Sequence, residues 1–205
     1  MRLDHAERAA VTGVVLAGGR GSRMGGQDKG LVELAGRPLI AHVLEALVPQ
    51  VGRVMINANR NLEVYRRLGF PVVVDDLSEF QGPLAGFAGA MAAADTAFVL
   101  LVPCDGPELA ADFAARLYRA LQADEGAELA VAHDGRRLQP VHALLATALR
   151  PDLDRFLAAG ERKIDRWYAR HRRVTVDFSH QPGMFRNVNT PQERDVLEQE
   201  MATRA

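Results

Sequence analysis

Apolar residues in this chain fall into two patterns, short unbroken runs and longer stretches with a three-to-four-residue spacing. The unbroken runs are residues 13–16 (Gly-Val-Val-Leu), 53–56 (Arg-Val-Met-Ile), 71–74 (Pro-Val-Val-Val) and 97–102 (Ala-Phe-Val-Leu-Leu-Val). Short, β-branched and bounded by Gly, Pro or polar groups, they predict buried strands. The spaced stretches predict helices. Residues 38–48 put Leu39, Val43, Leu44 and Leu47 on one face, with Pro38 in the first turn and Pro49 as the stop. A short helix runs to Leu68 and is closed by Gly69. Gln81-Gly82-Pro83-Leu84-Ala85-Gly86 turns into a helix of small residues that continues through Ala94. Strands alternating with helices specify right-handed βαβ units, hence an α/β fold in three layers around a predominantly parallel sheet.

The second half continues the pattern. A helix beyond Pro107 reaches residue 123, strand 128–133 leads through the turn Asp134-Gly135 into strand 139–144, and helical spacing covers 146–159 and 162–170. Residues 174–178 read as a strand. Thr190-Pro191-Gln192-Glu193 opens the last helix with a capping box and Pro191 at its first position. No repeat, low-complexity tract or linker intervenes. Residues 1–205 therefore read as one domain whose second half extends the sheet of the first.

In a parallel α/β sheet, ligands bind outside the carboxyl ends of the strands. Those ends carry Asn57, Asp75 with its neighbour Asp76, Asp105, and a glycine-rich loop that follows the first strand. Gly18, Gly19, Gly21, Gly25 and Gly26 leave its backbone nearly bare, and free main-chain amides form a nest that favours anions. Arg20, Arg23 and Lys29 add positive charge. The loop reads as a polyphosphate cradle. It is not a Walker A loop, because no Gly-Lys pair occurs in the chain. Nor is it a dinucleotide fingerprint, because Met24 stands where the third glycine would fall.

Composition narrows the reading. Hydrophobic residues at 48% and charged residues at 25% are ordinary for a globular domain, and a net charge of −1 argues against a general nucleic-acid or membrane-surface binder. The first ten residues are charged and lack the apolar core of a secretory signal, and no apolar run approaches a membrane span. The single Cys104 excludes an internal disulfide and fits a reducing, cytoplasmic compartment. Of the 25 basic residues only Lys29 and Lys163 are lysine. A chain so biased toward arginine is expected to keep Lys29 where a compact ammonium is required beside phosphate.

A nucleoside triphosphate brings a bare polyphosphate, and its transfer chemistry uses Mg²⁺ held by one or two carboxylates. Asp105, stiffened between Pro103 and Pro107, is the candidate metal ligand, against the alternative that it caps the following helix. Asp75 is open between a base or metal role and simple turn-making. Asn57 is a candidate for a base or ribose contact, against an Asx turn for which Asn59 is equally eligible. Cys104 has no sequence-adjacent His to activate it, and the six histidines show no zinc spacing. His133 and His142 are expected to be strand residues near a pocket.

The run Leu16-Ala17-Gly18-Gly19-x-x-x-Arg23-Met24-Gly25-Gly26-x-Asp28-Lys29-Gly30 resembles that of molybdenum cofactor guanylyltransferases. Asn57-Ala58-Asn59-Arg60, Gly82-Pro83-Leu84-Ala85-Gly86, Pro103-Cys104-Asp105-x-Pro107 and Phe185-x-Asn187-x-Asn189-Thr190-Pro191 follow in the family's order, so the likeness spans nearly the whole chain. The resemblance implies a Rossmann-like nucleotidyltransferase fold. It also implies transfer of GMP from GTP to the terminal phosphate of a molybdenum-molybdopterin cofactor, giving the guanine dinucleotide form and pyrophosphate. By position it implies GTP contacts at Leu16, Ala17, Gly18, Lys29, Asn57, Asp75 and Asp105, catalysis by Lys29 and Asp105, and Mg²⁺ on Asp105. Gln139-Pro140 and residues 187–190 are implied near the pterin, and transient contact with cofactor-delivery or molybdoenzyme-maturation proteins is implied as well.

Rival readings are a cytidylyltransferase on the same pterin, whose relatives tend to carry Ala-Gly at Gly18-Gly19, and a sugar-phosphate nucleotidyltransferase. A glycosyltransferase would use a D-x-D motif; the one present, Asp152-Leu153-Asp154, falls in a helical region away from the strand ends. A non-catalytic GTP-binding module would not need Asp105.

Overall fold

The computed structural model describes residues 1–19, 27–75 and 82–204. Arg20, Gly21, Arg23, Met24, Gly25, Gly26, Asp76 and Gln81 lie outside the described residues. The first strand, β1 (Val11–Leu16), is buried almost throughout and is the pivot of the sheet. Side chains alternate across it: Val11 and Val15 join one apolar cluster, Val14 the other. The sixth strand in sequence, β6 (Phe98–Pro103), does the same, with Leu100 and Val102 on one face and Val99 and Leu101 on the opposite face. Both faces are therefore covered, as a central strand of an α/β sheet requires.

The other strands of the sheet are β4 (Arg53–Asn57), β5 (Val72–Val73), β7 (Leu129–His133), β8 (Leu138–Ala146) and β9 (Arg173–Asp177), in the spatial order β5-β4-β1-β6-β8-β7-β9. Pairings of β1 with β4 and β6, β4 with β5, and β7 with β9 are parallel, while β8 runs antiparallel to β6 and β7. A predominantly parallel sheet in three layers is thus found as expected. One sheet runs through both halves of the chain.

Helices α2 (Leu39–Leu47), α3 (Leu62–Arg66) and α5 (Phe113–Ala123) cover the first face, while α4 (Pro83–Ala93), α6 (Arg150–Ala158) and α7 (Ile164–Tyr168) cover the second. A terminal helix, α8 (Pro191–Arg204), returns from the far side of the sheet. Leu197 on it packs in a third cluster with Val32, Leu34, Leu39 and Val188, against the two-residue strands β2 (Glu33–Leu34) and β3 (Arg37–Pro38).

Several boundaries differ from the sequence reading, each for a local reason. Pro49 does not stop α2 outright: the chain continues into a 3-10 turn, Val48–Gln50, in which the missing amide of a proline near the start costs nothing. The helix expected from Pro107 begins only at Phe113. Its start is set by the buried side chain of Gln50, whose Nε2 donates to Ala110 O at 2.9 Å and whose Oε1 accepts from Ala114 N at 3.0 Å. Ala35 and Gly36, both with positive φ (50° and 74°), close a short hairpin between β2 and β3. The charged start of the chain contains the short helix α1 (His5–Ala9), fixed by a capping box between Asp4 and Glu7 that could have been found from its spacing.

Candidate active site

The strand order makes β1 and β6 the switch point of the sheet, because the chain moves outward to β4 and β5 and then returns to the other side of β1. Such a point opens a crevice at the carboxyl ends. Lys29 and Asp105 meet there. Lys29 opens a 3-10 turn, Lys29–Leu31, and Asp105 follows the end of β6. The ammonium Nζ donates to Asp105 Oδ2 at 3.0 Å and to Asn189 Oδ1 at 2.5 Å. The pair is only partly screened, with side-chain exposures of 24% and 11%. The backbone carbonyl of Asp105 accepts from Val188 N at 2.8 Å, which draws residues 187–189 across the end of β6. Three segments remote in sequence therefore converge on one ammonium.

Asp105 does not cap a helix, since α5 starts well beyond it. Asn187, next to this group, has a buried Oδ1 with no hydrogen-bond partner, 3.4 Å from where a Cβ on Gly106 would stand. Among the described residues no cluster of three or more His, Cys, Asp or Glu side chains could hold a metal unaided.

A second polar group lies at the ends of β1, β4 and β5. Ala17 N donates to Asn57 O at 2.7 Å, continuing the β1–β4 pairing past Leu16. Asn57 Nδ2 donates to Asp75 Oδ1 and Asn59 Nδ2 to Asp75 Oδ2, each at 2.7 Å, while Asp75 N donates to Asn59 Oδ1 at 2.9 Å. Gly18 faces this group: a Cβ there would stand 3.2 Å from Asn59 Nδ2. Asp75 is thus held by two amides. Its carboxylate reaches back from beyond β5 to Asn57 at the end of β4 and toward Gly18, which follows β1. Gly86 of α4 gives Asn57 its room, since a Cβ there would meet Asn57 Oδ1 at 2.6 Å.

Cys104 is buried, and burial, with the Asp105 and Asp28 charges, pushes its thiol well above the ordinary range, so it stays protonated at neutral pH. His142 is buried between the ring edges of Phe113 and Phe185, and burial lowers its pKa to about 3. Gln139 is engaged by Asp134 at 2.7 Å, and Pro140 O accepts from Tyr168 at 2.7 Å. Asp152 is a packing group: it accepts from Trp167 Nε1 at 3.1 Å and Arg170 at 2.8 Å. Lys163 is exposed at the start of α7. Sequence reasoning missed the grip of Asn189 on Lys29 and the burial of Asp28. Only the adjacency of Asp28 to Lys29 in the motif hinted at the latter.

A family model described as the MobA-like NTP transferase domain matches residues 13–174, which include most of β1 and Lys29, Asn57, Asp75 and Asp105. The proteins of Shewanella pealeana and Shewanella halifaxensis named molybdenum cofactor guanylyltransferase are 52% and 50% identical to this chain over 194 residues, covering 95% of it and 96% of each relative. The chain belongs to the molybdenum cofactor guanylyltransferase family. It is accordingly a nucleotidyltransferase. The fold agrees: molybdopterin-guanine dinucleotide biosynthesis protein A from Archaeoglobus fulgidus superposes with a TM-score of 0.79 at 23% identity, over 94% of this chain and 99% of that one. No helix among the described residues is long and apolar enough to cross a membrane.

Proposed function

We infer that this guanylyltransferase-family chain transfers GMP from GTP to the terminal phosphate of molybdenum-molybdopterin, releasing pyrophosphate and giving the guanine dinucleotide cofactor. The observation that carries the reading is the Lys29–Asp105–Asn189 constellation at the switch point of the sheet. The pterin phosphate oxygen attacks the α-phosphorus of GTP, a new P–O bond forms, and the bond to the bridging oxygen breaks with pyrophosphate leaving. A phosphate monoester has its second pKa near ~6, so the nucleophile is already ionised and no general base is needed. Lys29 stabilises charge gathering on the phosphoryl oxygens, in a partly buried setting where such a charge acts strongly.

The donor set fits Mg²⁺, which takes hard oxygen ligands, one or two of them from protein and the rest from phosphates and water. Asp105 and the unpartnered Asn187 Oδ1 would hold it. When bound, the ion neutralises phosphate charge and aligns the phosphates. The group of Asn57, Asn59 and Asp75, facing Gly18, supports nucleoside recognition at the other end of the crevice, together with Leu16 and Ala17. A cytoplasmic setting agrees with the free Cys104.

A nucleotide screen tests the reading: GTP, ATP, CTP and UTP are supplied with molybdenum-loaded pterin, with and without chelation of divalent cations, and the dinucleotide product is measured. GTP is expected in strong preference, because a site of polar groups rejects analogues that leave them unpaired. Equal kcat/KM for GTP and CTP would favour the cytidylyl reading instead.

A further inference from the structure

We propose that Asp28 is a positioning residue for the transfer reaction, and that Tyr65 on α3 and Asn61 just before it clamp it so that Lys29 reaches the strand-end site in one placement. The proposal rests on the reading of the chain as a guanylyltransferase. Among the described residues Asp28 is one of the few charged ones that are buried, at 8% exposure. Its carboxylate accepts from Tyr65 Oη at 2.5 Å and from Asn61 Nδ2 at 3.0 Å, and Arg60 Nε pairs with it at 3.5 Å. Arg60 also donates to the carbonyl of Gln27 at 3.0 Å, so one helix entrance grips two successive residues. A carboxylate buried and hydrogen-bonded in this way is costly to displace, which makes it a firm anchor.

Two further features belong to the same device. Asn61, which precedes α3, has φ 52°, a left-handed conformation that Asn tolerates better than most residues and that sets the side chain at the helix entrance. Gly30, on the other side of Lys29, has no room for a side chain: a Cβ would stand 2.6 Å from Tyr65 Oη and 3.4 Å from Cys104 Sγ. Lys29 is therefore held between an anchored residue and a close-packed one. Its own side chain leaves this base to reach Asp105 and Asn189. Burial raises the Tyr65 hydroxyl far above its ordinary pKa, so it remains a donor to Asp28 across the working range of pH.

The test is a double-mutant cycle. Asp28→Asn and Tyr65→Phe are each made alone and in a Lys29→Ala background, with Gly30→Ala as a separate route to displacing the Tyr65 hydroxyl. Dinucleotide formation, KM for GTP and thermal melting are measured on the full chain. With Lys29 present, Asp28→Asn and Tyr65→Phe are expected to lower kcat by about 10-fold to 10²-fold, while KM for GTP moves by less than about 3-fold. Without Lys29, the same changes are expected to leave the residual rate nearly unaltered, because the group they position is gone. A merely structural role gives the same fold-loss in both backgrounds, and that result overturns the proposal, as does an unchanged kcat in folded Tyr65→Phe. Should Asp28→Asn fail to fold, Tyr65→Phe completes the cycle, since it retains the carboxylate. If the wild-type chain makes no dinucleotide from GTP, the functional reading fails instead, which separates the two failures.

Discussion

Replacing a helical glycine by alanine ordinarily stabilises a helix by about 0.8–1.0 kcal/mol. In α4 the sign should depend on which glycine is changed. A Cβ on Gly86 would stand 2.6 Å from Asn57 Oδ1 and 3.3 Å from both Asn57 Cγ and Leu16 Cδ2. Asn57 is 2% exposed and cannot swing into solvent without giving up its 2.7 Å hydrogen bond to the Asp75 carboxylate. A hydrogen bond to a charged group contributes roughly 1.5–3 kcal/mol, and overpacking costs about 1–3 kcal/mol if the side chain stays. Either penalty matches or outweighs the helical gain, leaving a net loss of up to about 2 kcal/mol. For a chain of this size that is a fall in Tm of up to roughly 8 °C. Gly89 is the internal control: its nearest contacts would be Val74 O at 3.4 Å, Asp75 Oδ1 at 3.7 Å and Asn57 Nδ2 at 3.8 Å, all near ordinary van der Waals distance. Gly89→Ala should therefore melt at or a few degrees above the wild type, up to about 4 °C. Thermal melts of both variants, repeated by urea denaturation, decide the matter. A Gly86→Ala protein as stable as Gly89→Ala would show that Asn57 is not confined and that the packing argument fails.

Two other expectations concern charge. Lys29→Arg should fold normally yet lose about 10²–10³ in kcat, because a broad planar guanidinium cannot occupy the point between Asp105 and Asn189 that a compact ammonium fills; near-wild-type turnover would reduce Lys29 to a solvated cation. His142 has a folded pKa of about 3 against an unfolded value near ~6.5, so between those limits the unfolded chain binds a proton that the folded chain refuses. Stability should accordingly fall as pH drops from about 6.5 toward 3, with a contribution of up to about 1.4 kcal/mol per unit that His142→Leu removes; parallel pH profiles for the two proteins in urea titrations would refute it.

The apolar runs determined by themselves that the chain is an α/β sheet protein, because a strand buried on both faces has to be continuously apolar and leaves its mark in local sequence. They also determined which residues stand at the strand ends, since order along the chain fixes where each run stops. Asp105 was legible for that reason, Lys29 from the glycine-rich loop and the scarcity of lysine, and the last helix from a capping box written in four consecutive residues. What sequence could not decide was which strand ends are neighbours. That depends on the order β5-β4-β1-β6, which brings Asp105 to Lys29 and leaves Asp75 with Asn57 and Asn59. Asn189 lies 160 positions from Lys29, and nothing local specifies that α8 must fold back over the β2–β3 hairpin to deliver it. The start of α5 was likewise misjudged, because the Ala114 amide in its first turn and the Ala110 carbonyl just before it are both satisfied by Gln50, a residue remote in sequence. Asp28 was read as part of a loop motif, and nothing in the short helix ending at Leu68 pointed to Tyr65 or to Asn61 before it as its partners, until packing joined them. Local pattern specifies elements and their ends because those interactions span a few residues; the pairing of remote polar groups is set by the burial of the whole core, which only the assembled fold contains.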